Sequence, residues 1–278
     1  MIELFMNEIA KPKMAREGDF SKDGILYCGT CKKPRQAWID WIPDKDGNTD
    51  KKLVPIMCDC DVEAERIEKD RKAQQDYDEA MRHIRLTFHT MRDDVRWTFD
   101  KDDSSDSPIA KTCRKYVERF DEMKSENMGI LFYGSKGTGK SFYASCIYNA
   151  LIARRVLVGF TSTANLMNLL KQWDQGELFD AITRVKLLVL DDLGAERNNT
   201  YSAELMYSVI DARYKTNLPT IVTTNIDIAE MKNEQDIWRS RIYDRVIEMC
   251  PIPLSMEGQS RRGIIADQRK QKARELLR

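Results

Sequence analysis

Ile130-Leu131-Phe132-Tyr133-Gly134-Ser135-Lys136-Gly137-Thr138-Gly139-Lys140-Ser141 decides how this chain is read. The four leading apolar residues predict a buried strand, and a helix-forming stretch follows Lys140. The glycine-rich run therefore sits between a strand and a helix, the setting in which such a run binds a nucleoside triphosphate. Glycines let successive N–H groups turn toward one phosphate cluster. Gly134, Gly137, Thr138 and Gly139 supply that cradle. Lys140 neutralises the β- and γ-phosphates, and Ser141 offers its hydroxyl to Mg2+. The positive end of the following helix dipole adds to the same site.

About fifty residues later, Lys186-Leu187-Leu188-Val189-Leu190-Asp191-Asp192 reads as a buried strand ending in two acids. A parallel strand emerging beside the phosphate loop brings Asp191 to the magnesium held by Ser141 and leaves Asp192 to polarise the attacking water. Glu196 is a reserve base, one methylene longer than Asp192. A further apolar strand, Ile221-Val222-Thr223-Thr224-Asn225, ends in an amide. Asn225 there can orient the water between the γ-phosphate and the two acids. On the next helical stretch Arg241 and Arg245 are four residues apart and share a face. An arginine on that face can reach into a neighbouring subunit's site and stabilise γ-phosphate charge in trans; Arg245 can alternatively pair with Asp244 or Glu248. Gly258-Gln259-Ser260-Arg261-Arg262-Gly263 adds a second basic patch able to contact phosphate in cis.

Composition bounds the remainder. The chain has 278 residues, with 45 basic and 45 acidic, so no global positive excess advertises nucleic acid and any such surface must be local. No apolar run approaches the ~18 residues of a membrane span. Met1-Ile2-Glu3-Leu4-Phe5-Met6 lacks a basic leader region, which fits a cytoplasmic protein. Of 7 cysteines, four form two close pairs, Cys28-Gly29-Thr30-Cys31 and Cys58-Asp59-Cys60, separated by 26 residues rich in turn signals. Four thiolates so paired can close a tetrahedral structural Zn2+ site, with Gly29 suited to a tight turn. Cys113, Cys146 and Cys250 read as core residues, and His83 and His89 as solvated side chains.

Three segments follow. Residues 1–60 form a small zinc-binding module with Trp38 and Trp41 available to pack its face. Residues 61–96 are charged and free of Gly and Pro, which predicts one or two exposed helices acting as linker or partner-binding element. Residues 97–278 form the nucleotide domain. There Pro108 opens a helix to about Lys124. Beyond it strands at 129–133, 156–161, 186–191, 219–224 and 251–254 alternate with helices at 139–153, 162–172, 201–216 and 235–248. Such alternation predicts an α/β fold, a parallel sheet flanked by helices on both faces.

Taken together, Gly134–Ser141, the run Leu187–Glu196, Thr224-Asn225, Arg241–Arg245 and Gly258–Gly263 resemble the AAA+ P-loop domain of replicative helicase loaders of the DnaC/DnaI type. IstB-type transposition helper ATPases share the block. The resemblance covers roughly residues 97–265. It implies that Lys140 and Ser141 are Walker A residues, Asp191 and Asp192 the Walker B pair, and Asn225 sensor 1. It also matches Arg241 to the arginine finger and Arg262 to sensor 2. Arg245 and Arg261 compete for the last two roles, because Arg261 stands where the family often has an aromatic. Asp192 replaces the usual Glu, consistent with a slow, switch-like ATPase. Loaders of the DnaI and phage type carry an amino-terminal zinc module and IstB helpers usually lack one, so the resemblance implies a loader. Such a protein uses ATP and Mg2+, engages a DnaB-family replicative helicase and single-stranded DNA, and assembles as an AAA+ ring or spiral. Asn198-Asn199-Thr200-Tyr201 is the candidate DNA-contacting loop. The alternative is an IstB-like ATP-dependent duplex-DNA binder.

Overall fold

The structure, a computed structural model, describes residues 15–41, 50–88, 90, 96–172, 175–194, 200–258, 260 and 270–277. The chain divides into two compact units, Met1–Asp76 and Tyr77–Arg278. His89, Glu196, Asn198, Asn199, Arg261 and Arg262 lie outside the described residues.

The first unit contains two antiparallel hairpins, β1 (Phe20–Lys22) with β2 (Ile25–Tyr27) and β3 (Gln36–Asp40) with β4 (Lys51–Pro55). Helix α1 (Asp59–Thr87) starts here. The buried residues described in this unit are Cys28, Arg35, Cys58 and Asp61, so its described residues build no apolar core of ordinary size. The expectation that Trp38 packs its face fails: Trp38 is 55% exposed. Trp41 instead lies under the Lys52 ammonium, 4.1 Å from its ring centre, a cation–π contact that needs no burial.

The second unit is built on a five-stranded parallel sheet of β5 (Ile130–Tyr133), β6 (Val158–Ser162), β7 (Leu187–Leu193), β8 (Thr220–Thr224) and β9 (Ile252–Ser255). The strand order is β6-β7-β8-β5-β9. Side chains alternate across a strand, and both faces here are apolar. Ile130, Phe132, Leu187, Val189 and Ile221 point into one core layer, while Leu131, Leu188, Leu190 and Val222 point into the other. Helices α2 (Pro108–Glu118) and α4 (Lys140–Ala153) cover the first face with Cys113, Tyr116, Ile147 and Leu151. The second face is covered by α5 (Thr163–Gln172), α6 (Gln175–Arg184), α7 (Thr200–Tyr214) and α9 (Ile237–Met249), joined by Met81, Ile84 and Phe88. Among the described residues no helix is long and apolar enough to cross a membrane.

The alternation is as expected, with local differences. The helix expected from Pro108 to Lys124 breaks at Arg119 into α2 and α3 (Phe120–Ser125). The break lets Tyr116 and Phe120 both enter the core, their rings edge-on with centres 6.1 Å apart. Helix α6 was not anticipated, although Leu178, Ala181 and Ile182 carry its buried stripe at helical spacing. Neither was α8 (Ile228–Lys232), a short helix capped by Asp227.

Arg213 is fully buried on α7 with no carboxylate among its recorded partners. Its guanidinium donates to Ile182 O (3.0 Å), Val185 O (2.8 Å), Pro219 O (2.7 Å) and Thr220 Oγ1 (3.2 Å). It thereby joins the segments that lead into β7 and β8, the strands that carry the acids and Asn225. Burial pulls its pKa down to about 9, which leaves it protonated at neutral pH. Arg213→Met is expected to cost about 3–5 kcal/mol, because several buried carbonyls lose their donor together. Thermal denaturation should show a midpoint lower by roughly 10 °C. A drop under about 2 °C would show that the bonds are not needed.

Candidate nucleotide site and four-cysteine cluster

All strands of the sheet are parallel, so their carboxyl ends lie on one edge, where ligands of open α/β sheets bind. The run Gly134–Gly139 follows β5 and enters α4 at Lys140. Gly134 and Gly137 have φ of +115° and +81°, and a Cβ on either would strike Met256 O (2.7 Å) or Ser260 Oγ (2.2 Å). Gly134 and Gly137 thus tolerate only glycine, and the loop is a cradle opening on a helix N-terminus, the form that receives phosphate. Thr138 Oγ1 pins it by donating to Ser135 O at 2.9 Å. Lys140 is 5% exposed, and its ammonium donates to Gly134 O (2.8 Å) and Ser135 O (2.6 Å). Ser141 occupies the first turn of α4 and is partly buried.

Asp191 and Asp192 end β7, and Asn225, exposed, follows β8. The sequence reading put the acids on a strand beside the phosphate loop. In the sheet, β8 separates β7 from β5, so the acids sit two strand spacings away, roughly 10 Å. Asn225 comes from the strand between them. The acids also lie on a distortion that was not foreseen. Leu190 pairs with Val222 and Leu193 with Thr224, so β7 holds one extra residue there. Asp192 takes up the excess with φ of +58°, a left-handed conformation that Asp tolerates better than most residues.

The start of the nucleotide domain, at Trp97, lies along α4. Trp97 N donates to Ser145 Oγ (3.2 Å), Asn149 Nδ2 donates to Trp97 O (2.7 Å), and the Trp97 ring is 5.7 Å from that of Phe142. The two rings are tilted by 51°, and the Arg96 guanidinium lies over the Trp97 ring, 4.5 Å from its centre. The sequence gives no spacing signal for this arrangement.

The arginines separate clearly. Arg245 donates to Asp211 Oδ1 (3.1 Å) and Tyr207 Oη (2.9 Å), with its guanidinium 4.8 Å from the Tyr207 ring centre. Its acidic partner is thus on α7, not Asp244 or Glu248; Glu248 accepts from Tyr214 Oη. Asp211 is held below the usual carboxylate range by Lys215 first and Arg245 second. Arg241 is exposed, 5.6 Å from the Trp238 ring centre. Of the candidate DNA loop, Thr200 and Tyr201 open α7, and Tyr201 is 56% exposed.

In the first unit, Cys28, Cys31, Cys58 and Cys60 bring their sulfur atoms within 4.8 Å of one another. A tetrahedral Zn2+ with bonds of 2.3 Å needs sulfurs about 3.8 Å apart, so the donor set and its closeness fit zinc. The positive φ of the knuckle falls on Lys32 (+60°), not on Gly29. Gly29 is required for another reason: a Cβ there would lie 2.1 Å from Gly18 O. Backbone N–H groups favour thiolate at two positions. Lys33 N–H holds Cys31 down at about 6, and those of Cys31 and Thr30 lower Cys28. Burial pushes the Cys58 thiol up to about 12, and the Cys31 side chain raises Cys60. Behind the sulfurs, Asp61 Oδ2 lies 3.4 Å from both Cys58 Sγ and an Arg35 nitrogen, and Arg35 pairs with Asp19. Backbone N–H groups of Arg16 and Gly29, with Arg35 adding less, hold the Asp19 carboxyl at about 2. The Arg35 guanidinium and the Asp19 and Asp61 carboxylates thus form a charged network behind the sulfurs, joined at Asp61 by Arg16. No sequence pattern marked Asp19, Arg35 or Asp61.

The IstB-like ATP binding protein profile matches residues 57–272, more than three quarters of the sequence. The chain belongs to the IstB-like ATP-binding family. Within this family of ATP binders it is similar to the replicative helicase loader DnaC of Escherichia coli (strain K12), 29% identical over 140 residues. That match covers 48% of this chain and 55% of the relative, so the chain spans about half the length of the curated relatives it matches. The crystal structure of DnaI aligns with a TM-score of 0.51 and 26% identity, over 60% of this chain and 95% of that one. The DnaC helicase loader structure aligns with a TM-score of 0.51 at 23% identity, over 60% of this chain and 100% of that one, a likeness of fold. The fold is thus an α/β AAA+-type domain of the DnaC kind, related to IstB.

Proposed function

We propose that this IstB-like protein is an ATP-regulated loader of a DnaB-family replicative helicase, working in the cytoplasm on single-stranded DNA. The observation that carries the reading is the likeness of its nucleotide domain to a relative named as a replicative helicase loader, DnaC. The four-cysteine cluster supports it, because Cys28 and Cys31 lie before the family match and give the chain a second, separately built unit.

The proposed chemistry follows from the sheet edge. ATP binds with its phosphates on Gly134, Gly137, Thr138 and Gly139. The Lys140 ammonium exchanges its carbonyl contacts for phosphate oxygens. Ser141 and Asp191 hold Mg2+, which supplies charge neutralisation at the phosphates. Asp192 accepts a proton from the water, and Asn225 orients that water. A carboxylate one methylene short of Glu makes turnover slow, which suits a switch. Arg262 contacts phosphate in cis, and Arg241 completes the site of the next protomer in an AAA+ ring or spiral. The engagement of Arg245 by Asp211 and Tyr207 favours Arg241 for that role. Zn2+ on Cys28, Cys31, Cys58 and Cys60 holds the first unit, which with the charged helix grips the helicase. Tyr201 stacks on DNA bases.

Arg241→Ala is expected to lower DNA-stimulated hydrolysis by roughly 10³-fold while ATP affinity stays within a few-fold. Steady-state turnover and equilibrium ATP binding check this, and loss of binding would give Arg241 a structural role instead. The loader reading is tested by capturing candidate DnaB-family helicases on the full chain and on Cys28→Ser/Cys31→Ser. Capture by the full chain and its loss in the double variant are expected. Capture that survives loss of zinc would place the partner surface elsewhere. Duplex-DNA filaments without helicase capture would instead favour the IstB-type helper.

A further inference from the structure

The bulge at the end of β7 is held by threonines. Thr223 on β8 is fully buried, and its hydroxyl makes two bonds at once. Thr223 Oγ1 accepts from Asp192 N–H at 2.9 Å and donates to Asp191 Oδ1 at 2.5 Å. Thr163, at the start of α5, donates to Asp192 O at 2.7 Å, and Thr224 donates to Leu193 O at 2.8 Å. Their effects differ. Thr163 and Thr224 donate to backbone carbonyls of the bulge, and Thr224 also accepts from Ile226 N–H at 3.1 Å, whereas Thr223 touches a carboxylate.

We infer that Thr223 is a positioning residue for the magnesium-binding acid, an inference that rests on the nucleotide-site reading above. A hydroxyl has one proton. With Asp192 N–H occupying a lone pair, that proton is directed at Asp191 Oδ1. The carboxylate is thereby fixed in rotation while Asp192 is kept in its left-handed conformation, and one side chain sets both acids. Outer hydroxyls of this kind commonly change metal affinity by 10–100-fold when removed. Valine keeps the shape of threonine without the hydroxyl, and serine keeps the hydroxyl without the methyl.

The test compares wild type, Thr223→Val and Thr223→Ser in the full chain, with Thr223→Ala as a second hydroxyl-free variant should valine prevent folding. Mn2+ replaces Mg2+ as the probe, titrated into the protein–ADP complex and followed by the EPR signal of free Mn2+. Steady-state hydrolysis is measured in parallel across Mg2+ concentrations. The hydroxyl-free variant should bind Mn2+ about 10-fold more weakly and need correspondingly more Mg2+ for half-maximal turnover. Metal-free ADP affinity should stay within about twofold of wild type, and serine should restore both metal readouts. Unchanged Mn2+ affinity in the hydroxyl-free variant overturns the inference alone. A serine variant as impaired as valine also overturns it, because the methyl would then be what matters. A wild type that neither binds nucleotide nor hydrolyses it with Mg2+ overturns the nucleotide-site reading and this inference together.

Discussion

Chelating the metal from the cysteine cluster, or replacing Cys58 by serine, is expected to unfold the two hairpins, β1–β2 and β3–β4. The reason lies in what that unit buries. Its described buried residues are Cys28, Arg35, Cys58 and Asp61, two thiols and two charged groups. A small unit whose described residues build no apolar core needs another source of folding free energy, and a structural metal is the usual one. Structural Zn2+ in comparable small sites contributes about 10–16 kcal/mol at neutral pH, far more than two short hairpins supply. Loss of the metal would also leave Arg35 and the Asp19 and Asp61 carboxylates around thiols in place of a charged centre. The measurements are zinc released per chain, near one equivalent, and the fluorescence change of Trp38 and Trp41 on chelation. Proteolysis should become rapid within this segment while the nucleotide domain keeps its own melting transition. Retention of the hairpins after complete metal removal would show that zinc does not hold the unit.

Replacing Lys140 by alanine is expected to lower ATP turnover by roughly 10²–10³-fold. Lys140 is almost entirely buried against its own loop, with Gly134 O and Ser135 O as acceptors. It is the cation fixed inside the cradle, where low water content strengthens its pull on developing phosphate charge. Arginine is not a conservative replacement, since its planar fork cannot fill the point-charge position of an ammonium. Both variants should retain the wild-type melting temperature within a few degrees. Turnover by Lys140→Ala at the wild-type rate would reduce the site to a structural nucleotide pocket and favour an adaptor over an ATPase.

Much of the site was legible in the chain, for a physical reason. Phosphate binding by backbone needs glycine at fixed offsets, so Gly134–Ser141 carries its chemistry in its order. The two-faced burial of β5, β7 and β8 likewise requires continuous apolar runs, which predicted the parallel sheet. Four cysteines in two close pairs implied the sulfur cluster found at Cys28, Cys31, Cys58 and Cys60. The break at Arg119 was not legible, because it serves the placement of Tyr116 and Phe120 against residues distant in sequence.

The sequence by itself determined which residue types stand at the carboxyl ends of the strands, because local spacing dictates what a loop or strand end can do. Only the tertiary structure decided their partners. Strand order inserted β8 between the phosphate loop and the acids, and so made Thr223 a neighbour of Asp191. Packing of α7 on α9 gave Arg245 to Asp211 and left Arg241 exposed. The return of Gly18 onto Gly29, and the closure of Asp19, Arg35 and Asp61 behind the sulfurs, join residues up to about forty positions apart. Such contacts depend on which surfaces meet after folding, and no short window of sequence encodes that meeting.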